Sequence, residues 1–465
     1  MKGFEPPRRE THGPQPCASA SSATSACYIY YSIILKNVNT GGKMNYIDRI
    51  AEYIKSGEIQ ENEFKVGAEY EHLVLDKDGK NISYSEKNGA KDIFKRLLDY
   101  GWEVASVEGE NILAISKGEY NITTEPGGQI EFSSDPKKSL DDLKKDIKYF
   151  YSEMNKALLD ANLFCLGFQP VSKIEDIKIL PKKRYFAMHD YFEDHGTMSH
   201  SMMKGTAALQ CAIDYKSESD FSKKYTLATK LSNIFYALFD NTPFVNGKFS
   251  PINAYRAYIW ENTDPNRSGV IKDAFKYNFS YSDYAKYISN IEAIFKLKKD
   301  EYIFSTEKIG KIIDDGVDEK ELEHLLTMVF PDVRAKKFIE IRYLDAIPYP
   351  YNIAYLQLIK SIFYNDDNMD RLYNLIGDLT YNEHQKARKE LYEKGIKAKM
   401  MGKTLVKWGM DMYDALELTS DEKNVIKPIL GFLEGNSLKQ IMQESWKTRG
   451  TLYDAISKCK IDLGE

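Results

Sequence analysis

The run Thr123-Thr124-Glu125-Pro126-Gly127-Gly128-Gln129-Ile130-Glu131-Phe132 constrains this chain more than any other stretch. Side chains alternate across an extended strand, so the even spacing predicts Glu125, Gln129 and Glu131 on one face. The paired glycines predict a bulge in that strand, or a point where something approaches its backbone closely. Upstream, Gly67-Ala68-Glu69-Tyr70-Glu71 repeats the device, with Glu69 and Glu71 in alternation. Acids crowded on a sheet face are costly unless cations neutralise them, so the pattern points first to a site for hard metal ions.

The surrounding pattern predicts an α+β fold. Apolar spacing predicts a helix over 46–56, a strand over 64–75, a turn at 76–79 into a second short strand, and a helix over 90–100 closed by Gly101. Strands follow over 111–116 and 120–124, then the glycine-interrupted strand, then a long amphipathic helix over 139–162 capped near Ser139 or Asp135. Further on come a strand over 207–215, a largely buried helix over 225–239, a loop-rich stretch over 248–272 and a strand over 337–343. From about residue 352 the pattern is helical. Hairpin-like strand pairs without a steady βαβ rhythm predict an antiparallel sheet with helices and a helical C-terminal part.

Composition excludes several classes. A net charge of −5 across 465 residues gives no basic surface for nucleic acid. The most apolar stretch, around residues 26–35, is too short to span a bilayer. Cys17, Cys27, Cys165, Cys211 and Cys459 form no C-x-x-C pair or disulfide framework, which suits a reducing cytoplasm. Residues 18–25 are small, polar and low in complexity, and no basic region flanks the apolar stretch as a secretory signal requires. Residues 1–43 are therefore expected to be a disordered or non-native extension. The folded unit is expected to begin near Met44, with a core over 44–350 and helices over 351–465 within the same domain.

Glu69, Glu71, Glu125, Glu131 and Glu340 all fall on predicted strands. Mg²⁺ takes one or two carboxylates per ion plus phosphate oxygens and water, so such a set suits ions shared with a triphosphate. A solvated sheet face is the alternative for any one of them. The cationic candidates are Lys182-Lys183-Arg184-Tyr185, Arg256, Arg267 and the Arg334, Lys336, Lys337, Arg342 group, and Arg342 shares a predicted face with Glu340. Arginine grips carboxylate or phosphate in a fork, and surface ion pairing is the competing role for each. Gly402-Lys403-Thr404 lacks the glycine that opens a phosphate-binding loop, because position 397 is Lys. His189, His195 and His200 lack metal-ligand spacing, which favours hydrogen-bonded structural roles.

These residues resemble the glutamate–cysteine ligases of the plant and proteobacterial type. The likeness runs through Gly67-Ala68-Glu69-Tyr70-Glu71, Thr124 to Glu131, Gly167-Phe168-Gln169-Pro170 and Pro181-Lys182-Lys183-Arg184-Tyr185. It continues in Met202-Met203, Gln210, Ile213-Asp214-Tyr215, Leu238 to Phe244, Arg256 to Trp260, Thr263 to Gly269, and Phe330 to Arg334 with Glu340, Arg342 and Asp345. The resemblance implies a glutamine-synthetase-like fold whose curved antiparallel sheet forms a funnel flanked by helices. It implies ATP-dependent formation of γ-glutamylcysteine, the first step of glutathione synthesis, with about two or three Mg²⁺ ions. Glu69, Glu71, Glu125, Glu131 and Glu340 would then hold metal, and Glu69, Glu340, Arg334 and Lys336 the nucleotide. Arg342 and Arg256 would stabilise charge during the reaction. Arg184, Tyr185, Met203, Lys204, Gln210, Trp260 and Arg267 would contact the substrates. The implied partners are glutamate, cysteine and ATP, for a cytoplasmic monomer or homodimer.

The chain departs from the family at named positions. Lys204-Gly205-Thr206 stands where the family has Arg, Ala212 where it has Asn, Ala254 where it has Ser, and Tyr343-Leu344 where it has Gly-Ala. No cysteine pair matches the plant regulatory disulfides, so no such redox switch is expected. Two further readings stay open: a related ligase joining a different acid and amine, and a non-catalytic nucleotide-binding relative.

Overall fold

The computed structural model describes residues 44–298 and 301–461. Nine strands form one sheet: β1 (Val66–Leu75), β2 (Glu103–Glu108), β3 (Asn111–Lys117), β4 (Tyr120–Thr124), β5 (Ile130–Ser133), β6 (Asn162–Phe164), β7 (Ala208–Ile213), β8 (Val333–Ala335) and β9 (Ile339–Asp345). Their order is β8-β9-β7-β1-β5-β4-β3-β2, with β6 paired to the far end of β1. Every pairing is antiparallel.

Residues opposed across a ladder share a face, so register sorts the side chains. Glu71 lies across from Glu131 and Glu131 from Thr123, while Glu69 opposes Gln210 and Glu340 opposes Ala212. The alternate positions, among them Ala68, Tyr70, Phe132, Cys211 and Ile341, are buried and apolar. One face is therefore a hydrophobic floor and the other carries the acids.

Six helices position the site: α1 (Leu140–Ala157), α2 (Lys183–Tyr191), α3 (Ser199–Gly205), α4 (Glu218–Leu238), α5 (Tyr255–Glu261) and α6 (Tyr351–Phe363). The apolar face takes α1, α4 and α6. Phe132 stacks on Phe150 at 4.5 Å, Tyr343 stacks on Phe235 at 5.6 Å, and Tyr355 meets Phe235 edge-on at 5.7 Å. Helix α4 is buried along nearly its whole length, which explains its lack of a polar face. Ser217 starts it by accepting a hydrogen bond from the Asp220 amide.

Several expectations need correction. Glu125 is not on a strand: β4 ends at Thr124, β5 begins at Ile130, and residues 125–129 turn between them. The turn closes through Glu125 N donating to Gln129 O (3.0 Å) and Gly128 N to Glu125 O (2.9 Å). The stretch is thus a hairpin tip and not one bulged strand. The second strand expected after residue 79 reduces to a single bridge between Leu75 and Asn81. The helix expected over 139–162 stops at Ala157, because Leu159 takes a left-handed conformation (φ 48°) and the chain turns into β6. The loop-rich stretch 248–272 contains helix α5. Edge strand β2 escaped sequence reading because exposure on an edge leaves little apolar alternation. The expectations for residues 1–43, and for Cys17 and Cys27, lie outside the described residues.

Cys165, Cys211 and Cys459 are free and buried. His195 and His200 bond backbone carbonyls, Tyr191 O at 2.6 Å and His189 O at 3.1 Å. From Tyr351 onward the described chain is helical apart from the two-residue strands Lys399–Met400 and Lys403–Thr404, as the pattern predicts, and among the described residues no helix is long and apolar enough to cross a membrane.

Candidate active site

The hairpin tip is held by its own glutamine. Gln129 Oε1 accepts from Gly127 N at 2.8 Å, and Nε2 donates to Thr206 O at 2.9 Å and Met203 O at 3.4 Å. The two glycines permit this docking. A Cβ on Gly127 would lie 2.2 Å from the carbonyl oxygen of Lys204, and Gly128 sits at φ +85° against the Tyr84 amide. The tip is thus pinned to the end of α3, which aims Glu125 at the acid face. Gly127→Ala is accordingly expected to cost about 1–3 kcal/mol in a urea titration, because backbone cannot yield as a side chain can.

The carboxylates divide by the direction in which their surroundings push them. Glu340, on β9, is gripped in a fork by Arg334, with Nε at 2.6 Å and Nη2 at 3.0 Å. Lys336 Nζ lies 3.4 Å and Arg342 Nη1 3.1 Å from the same carboxylate. Burial pushes Glu340 up, but Arg334, Lys336 and Arg342 together outweigh it and hold the carboxyl well below the usual range. Burial of Lys336, with Arg334 beside it, lowers that ammonium to about 8.

At Glu69, Glu71 and Glu125 burial and neighbouring acids outweigh the cations that act on them. Burial raises Glu71 to about 7, with the Glu131 charge adding to the effect. Burial, then Glu131 and Glu340, push Glu69 well up, and burial, then Glu131 and Glu71, do the same to Glu125. Glu131 is the neighbour common to all three. Glu71 is fixed by Ala208 N at 2.8 Å and Gln210 Nε2 at 2.8 Å, and Thr123 Oγ1 donates to Glu131 at 3.1 Å. Gln210 spans the two groups, since its Oε1 accepts from Arg342 Nη1 at 2.5 Å.

A cavity opens over this face. Glu71, Glu125, Glu131 and Gln210 line its acidic side, and Arg256, Arg334 and Arg342 its basic side. Tyr185, Met202, Met203, Trp260 and Phe330 supply an apolar wall. Arg256 Nη1 donates to the Arg342 carbonyl at 2.9 Å, and both guanidinium groups lie over the Trp260 ring, at 5.8 and 5.7 Å. Arg256 Nε and Trp260 Nε1 are buried with no hydrogen-bond partner. Such donors are costly unless a ligand accepts from them.

Among the described residues no three His, Cys, Asp or Glu groups are arranged to hold one metal ion. The donor set nevertheless fits Mg²⁺ shared with phosphate: hard carboxylate oxygens, mutually repelling, with fewer per ion than an all-protein cage demands.

Not every expected residue reaches this cavity: Glu69, Lys336 and Glu340 are buried on the same sheet face without lining it. Arg267 is buried elsewhere, its donors taken by Asp264 (2.6 Å), the Tyr191 hydroxyl (2.7 Å) and the carbonyls of Met328 (2.9 Å) and Glu292 (3.1 Å). Lys204 presents its carbonyl to the hairpin tip and does not line the cavity; burial lowers its ammonium, partly offset by Glu175. Arg184 does not line the cavity; it lies over the Phe295 ring at 5.6 Å and donates to Thr327 Oγ1 at 3.4 Å, while its charge acts on Glu125. Sequence reading missed Met188 and Thr206, which also line the cavity. Met188 was traceable as the residue one helical turn beyond Tyr185 on α2. Thr206 stands in the Lys204-Gly205-Thr206 run that departs from the family pattern, but nothing in that run points its side chain to the cavity.

Comparison with known proteins bears on this architecture. The model of a family described as glutamate-cysteine ligase family 2 (GCS2) matches residues 65–442. The chloroplastic glutamate–cysteine ligase of Arabidopsis thaliana is 28% identical over 361 residues, covering 74% of this chain and 68% of that protein. Chloroplastic glutamate–cysteine ligase A of Oryza sativa subsp. japonica is 28% identical over 362 residues, covering 75% of this chain and 73% of its own. The crystal structure of a glutamate–cysteine ligase from Francisella tularensis, in complex with AMP, shares the fold with a TM-score of 0.52. At 10% identity, it covers 85% of this chain and 87% of that one. With the family's model spanning the entire sheet and the helices around it, this chain belongs to glutamate-cysteine ligase family 2.

Proposed function

We propose that this protein is an ATP- and Mg²⁺-dependent ligase that joins the γ-carboxylate of glutamate to the amine of cysteine through a γ-glutamyl phosphate. The observation that carries the reading is one cavity lined by Glu71, Glu125 and Glu131 on one side and by Arg256, Arg334 and Arg342 on the other, with burial and mutual repulsion raising Glu71 and Glu125. A carboxylate is a poor electrophile, and transfer of the ATP γ-phosphoryl group to its oxygen makes it one. The cysteine amine then attacks the acyl carbon and phosphate departs. Bound Mg²⁺ would supply charge neutralisation for the triphosphate and the transferring phosphoryl group.

The chain's own residues do the remainder. Glu69, Glu71, Glu125 and Glu131 would hold the ions, and Arg334 and Lys336 would face nucleotide charge from their Glu340 anchor. Arg342 would offset negative charge that develops at the reacting centre. Arg256 Nε and Trp260 Nε1, buried without partners, are suited to bind a substrate oxygen. The methionine and aromatic wall would exclude water, which otherwise hydrolyses an acyl phosphate. The buried free thiols suit a reducing compartment, and we place the protein in the cytoplasm.

One observation favours a second reading. Ala212 lies on the acid face between Gly67 and Glu340, at the position where the family resemblance implies an asparagine amide. That loss suits a related ligase with a different acid or amine. Purified protein given ATP, Mg²⁺ and amino-acid pools separates the two by ADP release and product mass. γ-Glutamylcysteine, formed with one ADP per product, is the expected outcome. Turnover with another pair, and none with glutamate and cysteine, would establish the second reading.

A further inference from the structure

We infer that Lys439 is a positioning residue for the substrate-binding end of the cavity, acting through Asp240 on the start of α5. Lys439 belongs to helix α7 (Leu438–Arg449) in the C-terminal helical part. Its side chain is buried, and Nζ donates to Asp240 Oδ2 (3.0 Å), Ile252 O (3.0 Å) and Asn253 Oδ1 (3.4 Å). The same Asp240 Oδ2 accepts the Ala254 amide at 2.7 Å. Ala254 is the N-cap of α5, and α5 carries Arg256 and Trp260 into the cavity.

Helix α5 has little reason of its own to begin there. It is seven residues long, no side chain caps it, and Ala254 sits in the left-handed region at φ +47°. An L-residue without a local polar side chain avoids that conformation, so something outside the helix must hold it. The Asp240 carboxylate does so by fixing the Ala254 amide, while Oδ1 accepts from Thr242 N at 3.2 Å. A carboxylate this buried is costly to leave unpaired, and Lys439 is the cation that bonds it.

Asp345 sharpens the consequence. It is buried beside Asp240, and burial, with the Asp240 charge next, raises its carboxyl to about 7, while Arg256 acts the other way. Without Lys439, two acids lie side by side with the Arg256 guanidinium acting on Asp345. Arg256 would be drawn toward them and away from the Arg342 carbonyl and the cavity. The C-terminal helices would in this way set the reach of a substrate-binding arginine.

The inference rests on the proposed function only for its kinetic arm. Lys439→Met is expected to speed amide hydrogen exchange in residues 254–261 at least about tenfold, since local opening follows loss of the tie. It is expected to raise the KM for glutamate about tenfold while leaving the KM for ATP within about twofold. Lys439→Arg should keep wild-type exchange. Asp240→Asn with Lys439→Met should recover most of it, because an amide oxygen still accepts from Ala254 without needing a cation. The double variant also stands in should Lys439→Met fail to fold. Unchanged exchange in Lys439→Met would overturn the inference, as would a uniform rise in exchange along the chain with both KM values moving together. A wild-type protein without ligase turnover would overturn the proposed function instead, and the exchange measurement would still decide the role of Lys439.

Discussion

Glu131→Gln is expected to lower turnover at least about a hundredfold while making the ion-free protein more resistant to heat. The loss of turnover follows from position. Glu131 lies across the ladder from Glu71 and adds its charge to Glu69, Glu71 and Glu125, so it is central to any ion held there. The gain in stability follows from the same geometry. Folding raises these carboxyls above their ordinary value of 4.5, so the stability they contribute is full below that value. It is lost as pH rises through the folded value, about 7 for Glu71. Above that pH the acids repel one another, and removing Glu131 removes the repulsion they share. A glutamine amide oxygen can still accept from Thr123 Oγ1, so the local hydrogen bond survives. Melting in EDTA at pH 8 should therefore shift upward, and the increment added by Mg²⁺ should shrink. Near-normal turnover with a lower melting temperature would contradict both halves.

Arg342→Lys carries the second large effect, a fall in turnover of about 10²–10³ with the fold retained. Arg342 Nη1 reaches Gln210 and Glu340 together, and its guanidinium plane lies over Trp260. An ammonium supplies the charge but neither the planar fork nor the stacking surface. The fold should survive because Glu340 keeps Arg334 and Lys336 as partners. Steady-state kinetics with a thermal melt distinguishes this outcome from general damage. A variant that melts with wild type but turns over within about threefold of it would remove Arg342 from the reaction.

Much of this site was legible because alternation and register act together. Glu69, Glu71, Glu131 and Glu340 were each readable as one-faced strand residues, and the antiparallel ladder places them on one surface. The glycine pair was readable as a point of close approach, and the Lys204 backbone is what approaches. The hairpin tip was not readable, because alternation continues through Glu125, Gln129 and Glu131 whether or not the backbone stays extended. The backbone bonds from Glu125 N to Gln129 O and from Gly128 N to Glu125 O close the turn, and the Gln129 side-chain bonds to Gly127, Met203 and Thr206 hold it in place. Arg267 shows the opposite failure. Its motif context resembles that of a ligand-binding arginine, yet Asp264 and two carbonyls occupy it. Nothing local distinguishes a guanidinium that awaits an anion from one already saturated. The link from Lys439 to Asp240 was invisible for a related reason, since it joins residues far apart in the chain.

The most direct test uses glutamate labelled with oxygen-18 in its side-chain carboxylate, incubated with the protein, ATP, Mg²⁺ and cysteine. Activation of that carboxylate by phosphorylation predicts one labelled oxygen in each inorganic phosphate released, alongside γ-glutamylcysteine. Formation of product with unlabelled phosphate would contradict the acyl-phosphate route and the role assigned to the acid face.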